Sequence, residues 1–321
     1  MSGEQPPGSL RSWLFVPGDS ERKQAKALTT DADALILDLE DSVDPAQLPA
    51  ARVRVRELLD AHAEGSAPEL WVRINTPRGT VWREDLEAVF SARAKRKGAG
   101  DSGRAPDGIV LPKVSAPAEI IEVADHLTTL ETRGGRSCGA TGLLVIGTET
   151  PRGLLMLPQY PLALGAAPAA AVRLAGLTWG AEDLSAALGA RAKREASGAL
   201  TLTFALARTT CLLTAAALGV QAIDGVHVDF RDAAGLKREL DEARRDGFSG
   251  KLAIHPDQVA PINAAFTPTE EERQHARRVV AAFAAAGGAG VASLDGQMID
   301  RPHLLQARRV LAAGGQGGRG G

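Results

Sequence analysis

The sequence predicts an α/β chain folded as a (β/α)8 TIM barrel with a C-terminal helical lid, and three observations carry that expectation. Short β-rich runs recur eight times, each followed by a polar or Gly/Pro break and an amphipathic stretch. Runs such as GIVLP are continuously apolar, which suits strands buried on both faces. After Phe266 the alternation stops and long Ala-rich helical stretches take over. The eight units fill roughly 255 residues, close to the size of such a barrel.

In order, the strand runs are WLFVP from Trp13, ALILDLE from Ala34, LWVRIN from Leu70, GIVLPKV from Gly108, GLLVIGTE from Gly142, AGLTWGAED from Ala175, AIDGVHVD from Ala222 and GKLAIHP from Gly250. Between them the apolar spacing turns helical over Ser20 to Leu28, Leu48 to His62, Pro117 to Leu130, Leu202 to Leu218 and Ala233 to Asp246. Residues 1–10 read as a flexible start, 11–267 as the catalytic barrel, 268–313 as the helical lid and 314–321 as a Gly-rich tail. In the lid, Glu270 to Ala286 and Pro302 to Ala312 are helical, with GGAGVASLDGQM as a joint and no convincing strand between them.

Composition narrows the function. The 321 residues allow two domains of ~150 residues or one barrel with an extension, and 44% hydrophobic with 24% charged residues supports a packed core. Lys and Arg number 37 against 39 Asp and Glu, a formal charge of −2, so there is no broad cationic field for a nucleic acid or an anionic membrane. An anionic partner must be met by a local site. The first residues lack the apolar stretch of a secretory signal and no run approaches ~18 apolar residues, so a soluble, cytoplasmic protein is expected. Cys138 and Cys211 lie far apart without a CxxC or a neighbouring His, and both are expected to be inert buried thiols.

In such a barrel, chemistry gathers where strands end. Here strand two ends Asp38-Leu39-Glu40-Asp41, strand three Arg73-Ile74-Asn75, strand five Glu149, strand six Glu182-Asp183 and strand eight His255-Pro256, while strand four carries Lys113. Alternation puts Asp38 with Glu40, and Arg73 with Asn75, on common faces, so each pair can point inward. Any one of these charges could simply cap a helix; six converging ends are harder to explain that way. Glu149 and Asp183 follow adjacent strands, and two carboxylates without a Cys or His cluster favour a hard cation such as Mg2+. A salt bridge across the barrel mouth is the bland alternative. The planar fork of Arg73 can hold a carboxylate or carbonyl oxygen of a substrate.

The runs RSWLFVPGDSERK, ALILDLEDSV, WVRIN, GIVLPKV, IGTETPRG, GAEDL, AIDGVHVDFRD, GKLAIHPDQV and LDGQMIDRP occur in that order from Arg11 to Leu311. Together they resemble the citrate lyase β subunit-like branch of the HpcH/HpaI aldolase superfamily, with its malyl-CoA, citramalyl-CoA and citryl-CoA lyases. The resemblance implies a Mg2+-dependent barrel enzyme that breaks or forms a carbon–carbon bond in a 3-hydroxyacyl-CoA, working as a homo-oligomer, trimer or hexamer. Its metal ligands would be Glu149 and Asp183, with Glu40 and Asp41 as partners of metal-bound water. Arg73, with Glu149, would bind the keto-acid part. Asp300 of MIDRP would be the general base, delivered by the lid of a neighbouring subunit; read without the resemblance, Asp300 is a plausible helix N-cap ahead of Pro302. Thr148 and Pro151 depart from the Ile and Ala that family members more often carry around the TET run, which could reshape the pocket wall.

Two alternatives remain on sequence grounds: a metal-dependent aldolase of free 4-hydroxy-2-oxo acids, or a β-type subunit of a multisubunit citrate lyase. The LDGQMIDRP lid argues against the first, because in the resembling branch it accompanies CoA substrates. GAGDSG at Gly98 to Gly103 matches GxGxxG but follows a helix and precedes a strand, the reverse of a dinucleotide site. The basic cluster Arg93 to Lys97 lacks interleaved aromatics and reads as a solvated face, with CoA phosphates as a minor alternative use. His255 either shapes the CoA side of the pocket or is a hydrogen-bonded structural residue, and Lys113 is a second pocket candidate.

Overall fold

The computed structural model describes residues 9–91, 104–287 and 290–313. Its first half runs β1 (Ser12–Pro17), α1 (Glu21–Ala27), β2 (Ala34–Asp38), α2 (Leu48–Ala61), β3 (Glu69–Arg73), α3 (Val81–Phe90), β4 (Gly108–Leu111), α4 (Pro117–Arg133) and β5 (Gly142–Ile146). There follow α5 (Pro151–Met156), α6 (Tyr160–Gly165), α7 (Pro168–Ala171), β6 (Leu174–Thr178), α8 (Ala181–Leu188), α9 (Leu202–Leu218), β7 (Gln221–Asp224), α10 (Ala233–Asp246), β8 (Gly250–Ala253) and α11 (Val259–Phe266). The eight strands close into a parallel barrel in chain order, β8 pairing with β1.

Strand alternation sorts the apolar residues into two layers. Trp13, Ala34, Ile36, Trp71, Val110, Leu144, Ile146, Ile223 and Leu252 fill the barrel interior. Their neighbours Leu14, Val16, Leu35, Leu37, Leu70, Val72, Ile109 and Leu111 face out and pack under the helices. This double burial is why the strands read as unbroken apolar runs. At the closed end of the interior Trp13 meets Trp71 edge-on at 4.8 Å. A Cβ at Gly108 would fall 2.1 Å from the Trp71 ring, so the start of β4 must be glycine. Carrying the inward phase up β2 and β3 places Asp38 and Arg73 inside and opposite one another in register.

After α11 the chain forms α12 (Glu270–Ala285), β9 (Val291–Leu294), β10 (Gln297–Asp300) and α13 (Arg301–Ala313). These share a separate small core of Ala276, Val279, Phe283, Ile299 and Ala307. The expectation of a strand-free joint is therefore corrected: β9 and β10 make an antiparallel hairpin. Its turn is Asp295-Gly296, with φ of 53° and 78°, the positive pair that tight hairpins demand and that Asp-Gly supplies. With only four residues per strand, the hairpin is too short to betray itself by alternation alone.

Cys211 is buried as expected, whereas Cys138 is exposed, because it sits in the turn after α4 rather than on a core face. Among the described residues no helix is long and apolar enough to cross a membrane. The basic cluster at Arg93 to Lys97, the loop at Gly98 to Gly103 and the tail from residue 314 lie outside the described residues.

Candidate active site at the carboxyl ends of the strands

A cavity of about 590 Å³ opens at the carboxyl ends of the strands. Asp38, Asp41, Arg73, Glu149, Asp183 and His255 all line it, so the carboxyl ends of five strands, β2, β3, β5, β6 and β8, meet there. Lys23 and Lys26 of α1 line its outer wall.

Arg73 is anchored first. Its Nε and Nη2 donate to the two oxygens of Asp38 at 2.6 and 2.7 Å, and its Nη1 lies 3.0 Å from Glu40. The guanidinium also sits over the Phe15 ring, 4.8 Å from its centre. Burial works against the charge, but the Asp38 hydrogen bonds and carboxylate outweigh it and hold the Arg73 pKa above its usual value. Asp38 is likewise held below the usual carboxylate range, since the Arg73 contact overcomes its own burial. Asp38, which the strand-end pattern placed on an inward face without giving it a role, is thus the side chain that orients Arg73. Asn75 does not join Arg73 inside the barrel. Past the end of β3 the backbone leaves the sheet, and the Asn75 amide donates instead to Leu39 O and to Asp85 of α3, both at 2.9 Å.

The carboxylates come from three directions. Glu40 and Asp41 follow β2; Glu149 follows β5, three residues past the strand. Asp183 does not end a strand, because β6 stops at Thr178 and Asp183 lies in the first turn of α8, one turn in from its Gly180 N-cap. The loops bearing Glu149 and Asp183 are tied together, as Thr148 Oγ1 accepts from Gly180 N at 3.0 Å. Gly180 also has to lack a side chain, for a Cβ there would lie 2.6 Å from Glu149 Cγ.

Lys113 stands among these groups. Its backbone N–H donates to Glu149 Oε2 at 2.5 Å, and its ammonium donates to Asp41 at 2.6 Å and to Glu40, with Asp183 3.5 Å away. Burial pushes Glu149 up to about 8, against the pull of the Lys113 N–H and Arg73, with Glu40 and Asp183 adding repulsion. Burial likewise pushes Glu40 up to about 7 despite Arg73 and Lys113. Five carboxylates thus face two cations at the mouth of the barrel, and the raised Glu149 and Glu40 show that Arg73 and Lys113 alone do not offset the ionisation of all five.

That excess suits a divalent cation. Among the described residues no three His, Cys, Asp or Glu side chains form a ready cage. Mg2+ needs none, being held by one or two protein carboxylates while water and substrate oxygens complete its octahedron. Glu149 and Asp183, both on the cavity and all oxygen donors, fit that requirement.

His255 lines the cavity but already has structural work: its Nδ1 accepts from Asp257 N at 3.2 Å and its ring stacks on Phe230 at 4.5 Å. Asp300 is not among the residues lining the cavity of its own chain. It closes β10, where its carboxylate pairs with His303 Nδ1 at 2.6 Å.

Known proteins match this chain in sequence and fold. Residues 11–256 match the family HpcH/HpaI aldolase/citrate lyase. The mitochondrial citramalyl-CoA lyase of Rattus norvegicus is 35% identical over 306 residues, covering 94% of this chain and 85% of that protein. The (3S)-malyl-CoA thioesterase of Cereibacter sphaeroides (strain KD131 / KCTC 12085) is 35% identical over 306 residues, 94% of each chain. Among solved structures, CitE from Mycobacterium tuberculosis in complex with magnesium, acetoacetate and coenzyme A superposes with a TM-score of 0.71 at 33% identity, covering 97% of this chain and 100% of that one. A barrel whose strand ends gather an arginine and a carboxylate cluster, matched over nearly its full length, places the chain in the citrate lyase β subunit-like branch of the HpcH/HpaI aldolase/citrate lyase family, and it is a carbon–carbon lyase.

Proposed function

We propose that this chain is a Mg2+-dependent lyase of a 3-hydroxyacyl-CoA of the citramalyl, malyl or citryl type, interconverting it with acetyl-CoA and an oxo acid. The observation that carries this proposal is the convergence of Arg73, Glu149 and Asp183 on one cavity whose outer wall holds Lys23 and Lys26. The first set suits an oxo acid and a metal; the second offers cations to phosphates. The CitE structure bound to magnesium, acetoacetate and coenzyme A supports the same assignment of ligands.

Glu149 and Asp183 would hold the metal, with Glu40 and Asp41 accepting from its water ligands. When bound, the dication supplies positive charge to the hydroxyl and carboxylate oxygens of the substrate. Arg73, aimed by Asp38, would stabilise the alkoxide formed when the substrate hydroxyl gives up its proton to solvent, and that oxygen becomes the oxo-acid carbonyl as the carbon–carbon electron pair passes to the acetyl-CoA enolate. Asp300 exchanges a proton with the α-carbon of the thioester, giving it in cleavage and removing it in condensation. Because Asp300 does not line the cavity of its own chain, it would be supplied by a neighbouring copy in a homo-oligomer. An apolar stripe on α9 supports such assembly: Leu202, Leu206 and Leu213 share one helix face and are 84%, 59% and 63% exposed.

The decisive experiment is product analysis by mass spectrometry after incubation with malyl-, citramalyl- and citryl-CoA plus Mg2+. Acetyl-CoA and the matching oxo acid support the proposal. Free hydroxy acid with CoA, the products the C. sphaeroides relative's name implies, would make this chain a thioesterase, with water intercepting the acyl group. No turnover of any of the three would overturn it.

A further inference from the structure

We propose that Lys113 is the positioning residue of the carboxylate cluster: its backbone N–H aims Glu149, and its ammonium competes with the metal for Asp183. The inference rests on Glu149 and Asp183 being the metal carboxylates.

Two independent features of Lys113 lead there. The first is its backbone. Lys113 has φ of 53°, in the left-handed region that L residues with a long side chain avoid, and among the described residues the only other non-glycine residue there is Asp295, in the hairpin turn. Lys113 follows β4 between buried Leu111 and buried Val114, so its neighbours fix the path of the chain on both sides. The unusual conformation has one visible product, the N–H directed at Glu149 Oε2 at 2.5 Å. Strain kept at a single position, with one functional contact to show for it, is characteristic of a site that must be held in place.

The second feature is the asymmetry of the ammonium. It makes hydrogen bonds to Glu40 and Asp41, both on the loop after β2, but only a looser 3.5 Å contact to Asp183 of α8. A dication held by Glu149 and Asp183 therefore displaces the ammonium directly only at its weakest contact, while its water would share Glu40 and Asp41 with Lys113. Afterwards Lys113 can remain on Glu40 and Asp41. The like charge nearby makes the metal weaker-binding than the carboxylates alone would, which keeps it exchangeable.

Two substitutions separate the two arms. Lys113→Asn removes the ammonium but tolerates the left-handed backbone, so the N–H should stay on Glu149. Lys113→Val removes the same charge, yet its β-branched side chain disfavours that backbone and pulls the N–H away. Mg2+ titration calorimetry on the full chain should find Lys113→Asn binding roughly tenfold tighter than wild type, and Lys113→Val several-fold weaker than Lys113→Asn. Should Lys113→Val fail to fold, Lys113→Ala gives the same ordering with a smaller gap. Equal tightening by Asn and by the Cβ-strained variant would remove the backbone arm; no tightening by Asn would remove the ammonium arm, and either result overturns the proposal. Glu149→Gln is the control. If it leaves Mg2+ affinity unchanged, the metal assignment itself has failed and Lys113 falls with it; if affinity drops while the Lys113 variants behave like wild type, only Lys113 has been misassigned.

Discussion

The guanidinium of Arg73 has two of its faces already committed, Nε and Nη2 to Asp38 and the ring side to Phe15. What a substrate can reach is the Nη1 edge, which it must share with Glu40 3.0 Å away and which can stabilise charge only while Asp38 keeps the plane fixed. A lysine cannot reproduce a fork held at two points. Arg73→Lys should therefore lower kcat by ~100-fold or more, as expected when one transition-state donor is lost, while KM for the CoA ester changes far less. Steady-state kinetics on the preferred ester checks this, and near-native kcat in the Lys variant would show that Arg73 is only a nearby charge. Thr148 is a second case at this scale. Replacing it with Val keeps the shape and removes the Oγ1 acceptor for Gly180 N, which should cost about 1 kcal/mol in urea denaturation and loosen the tie between the Glu149 and Asp183 loops.

Between β7, β8, α9 and α10 the outward face of the barrel is charged where its neighbours are apolar. Lys251 Nζ lies 2.8 Å from Asp224 and 3.0 Å from Glu239, and Asp224 also accepts from Arg208 Nε at 3.0 Å and Trp179 Nε1 at 2.7 Å. Burial opposes the Asp224 charge, but Lys251 and Arg208 overcome it and bring its pKa down to about 2. In the unfolded chain an Asp titrates near 4, so between those values the unfolded state binds more protons. The stability this group contributes is complete above pH ~4 and is lost as pH falls toward ~2. Asp224→Asn should thus cost ~3 kcal/mol at neutral pH, by leaving Lys251 with Glu239 alone and Arg208 with Asp246 alone, and progressively less in acid. Denaturant unfolding of both proteins from pH 2.5 to pH 7 measures that convergence; a pH-independent difference would contradict it. The effect reaches the cavity too, because Trp179 lines it and Asp224 fixes the indole.

At the scale of the whole molecule, the cavity and the proposed base are carried by separate cores, the barrel layers and the small cluster joining α12, the hairpin and α13. If Asp300 works in a neighbour's cavity, Asp300→Ala and Glu149→Gln variants, each inactive alone, should recover part of the wild-type activity when co-assembled, since some sites then combine an intact barrel with an intact lid. Absence of recovery in demonstrated mixed oligomers, or an active monomer by light scattering, would leave Asp300 acting within its own chain or only pairing with His303. Metal removal probes the same separation. The barrel interior is packed with apolar side chains, so chelation should abolish turnover yet shift Tm only modestly, in line with the loss of a ligand that completes a site at the strand ends rather than the core.

Several features were legible from the sequence for a local reason. Alternating strand and helix, the apolar runs of β2 and β4, and the bounds of α9 and α10 follow from periodicity and capping within a dozen residues. The charges that end up on the cavity could be picked out because strands deliver their last residues to one end of a barrel. The hairpin was written in Asp295-Gly296, but four-residue strands carry too little pattern to outweigh the surrounding glycines. The remainder was settled by closure of the barrel. Which oxygen Arg73 grips depends on the β2–β3 register that sets it opposite Asp38, residues 35 apart in the chain. That Asn75 turns to Asp85, that Asp183 rides a helix rather than a strand, and that Lys113 adopts a left-handed backbone beneath Glu149 are consequences of contacts between loops. Local sequence fixes the period of each element; the partners of a side chain at its end are chosen only when the eight strands meet and buried charges must find one another.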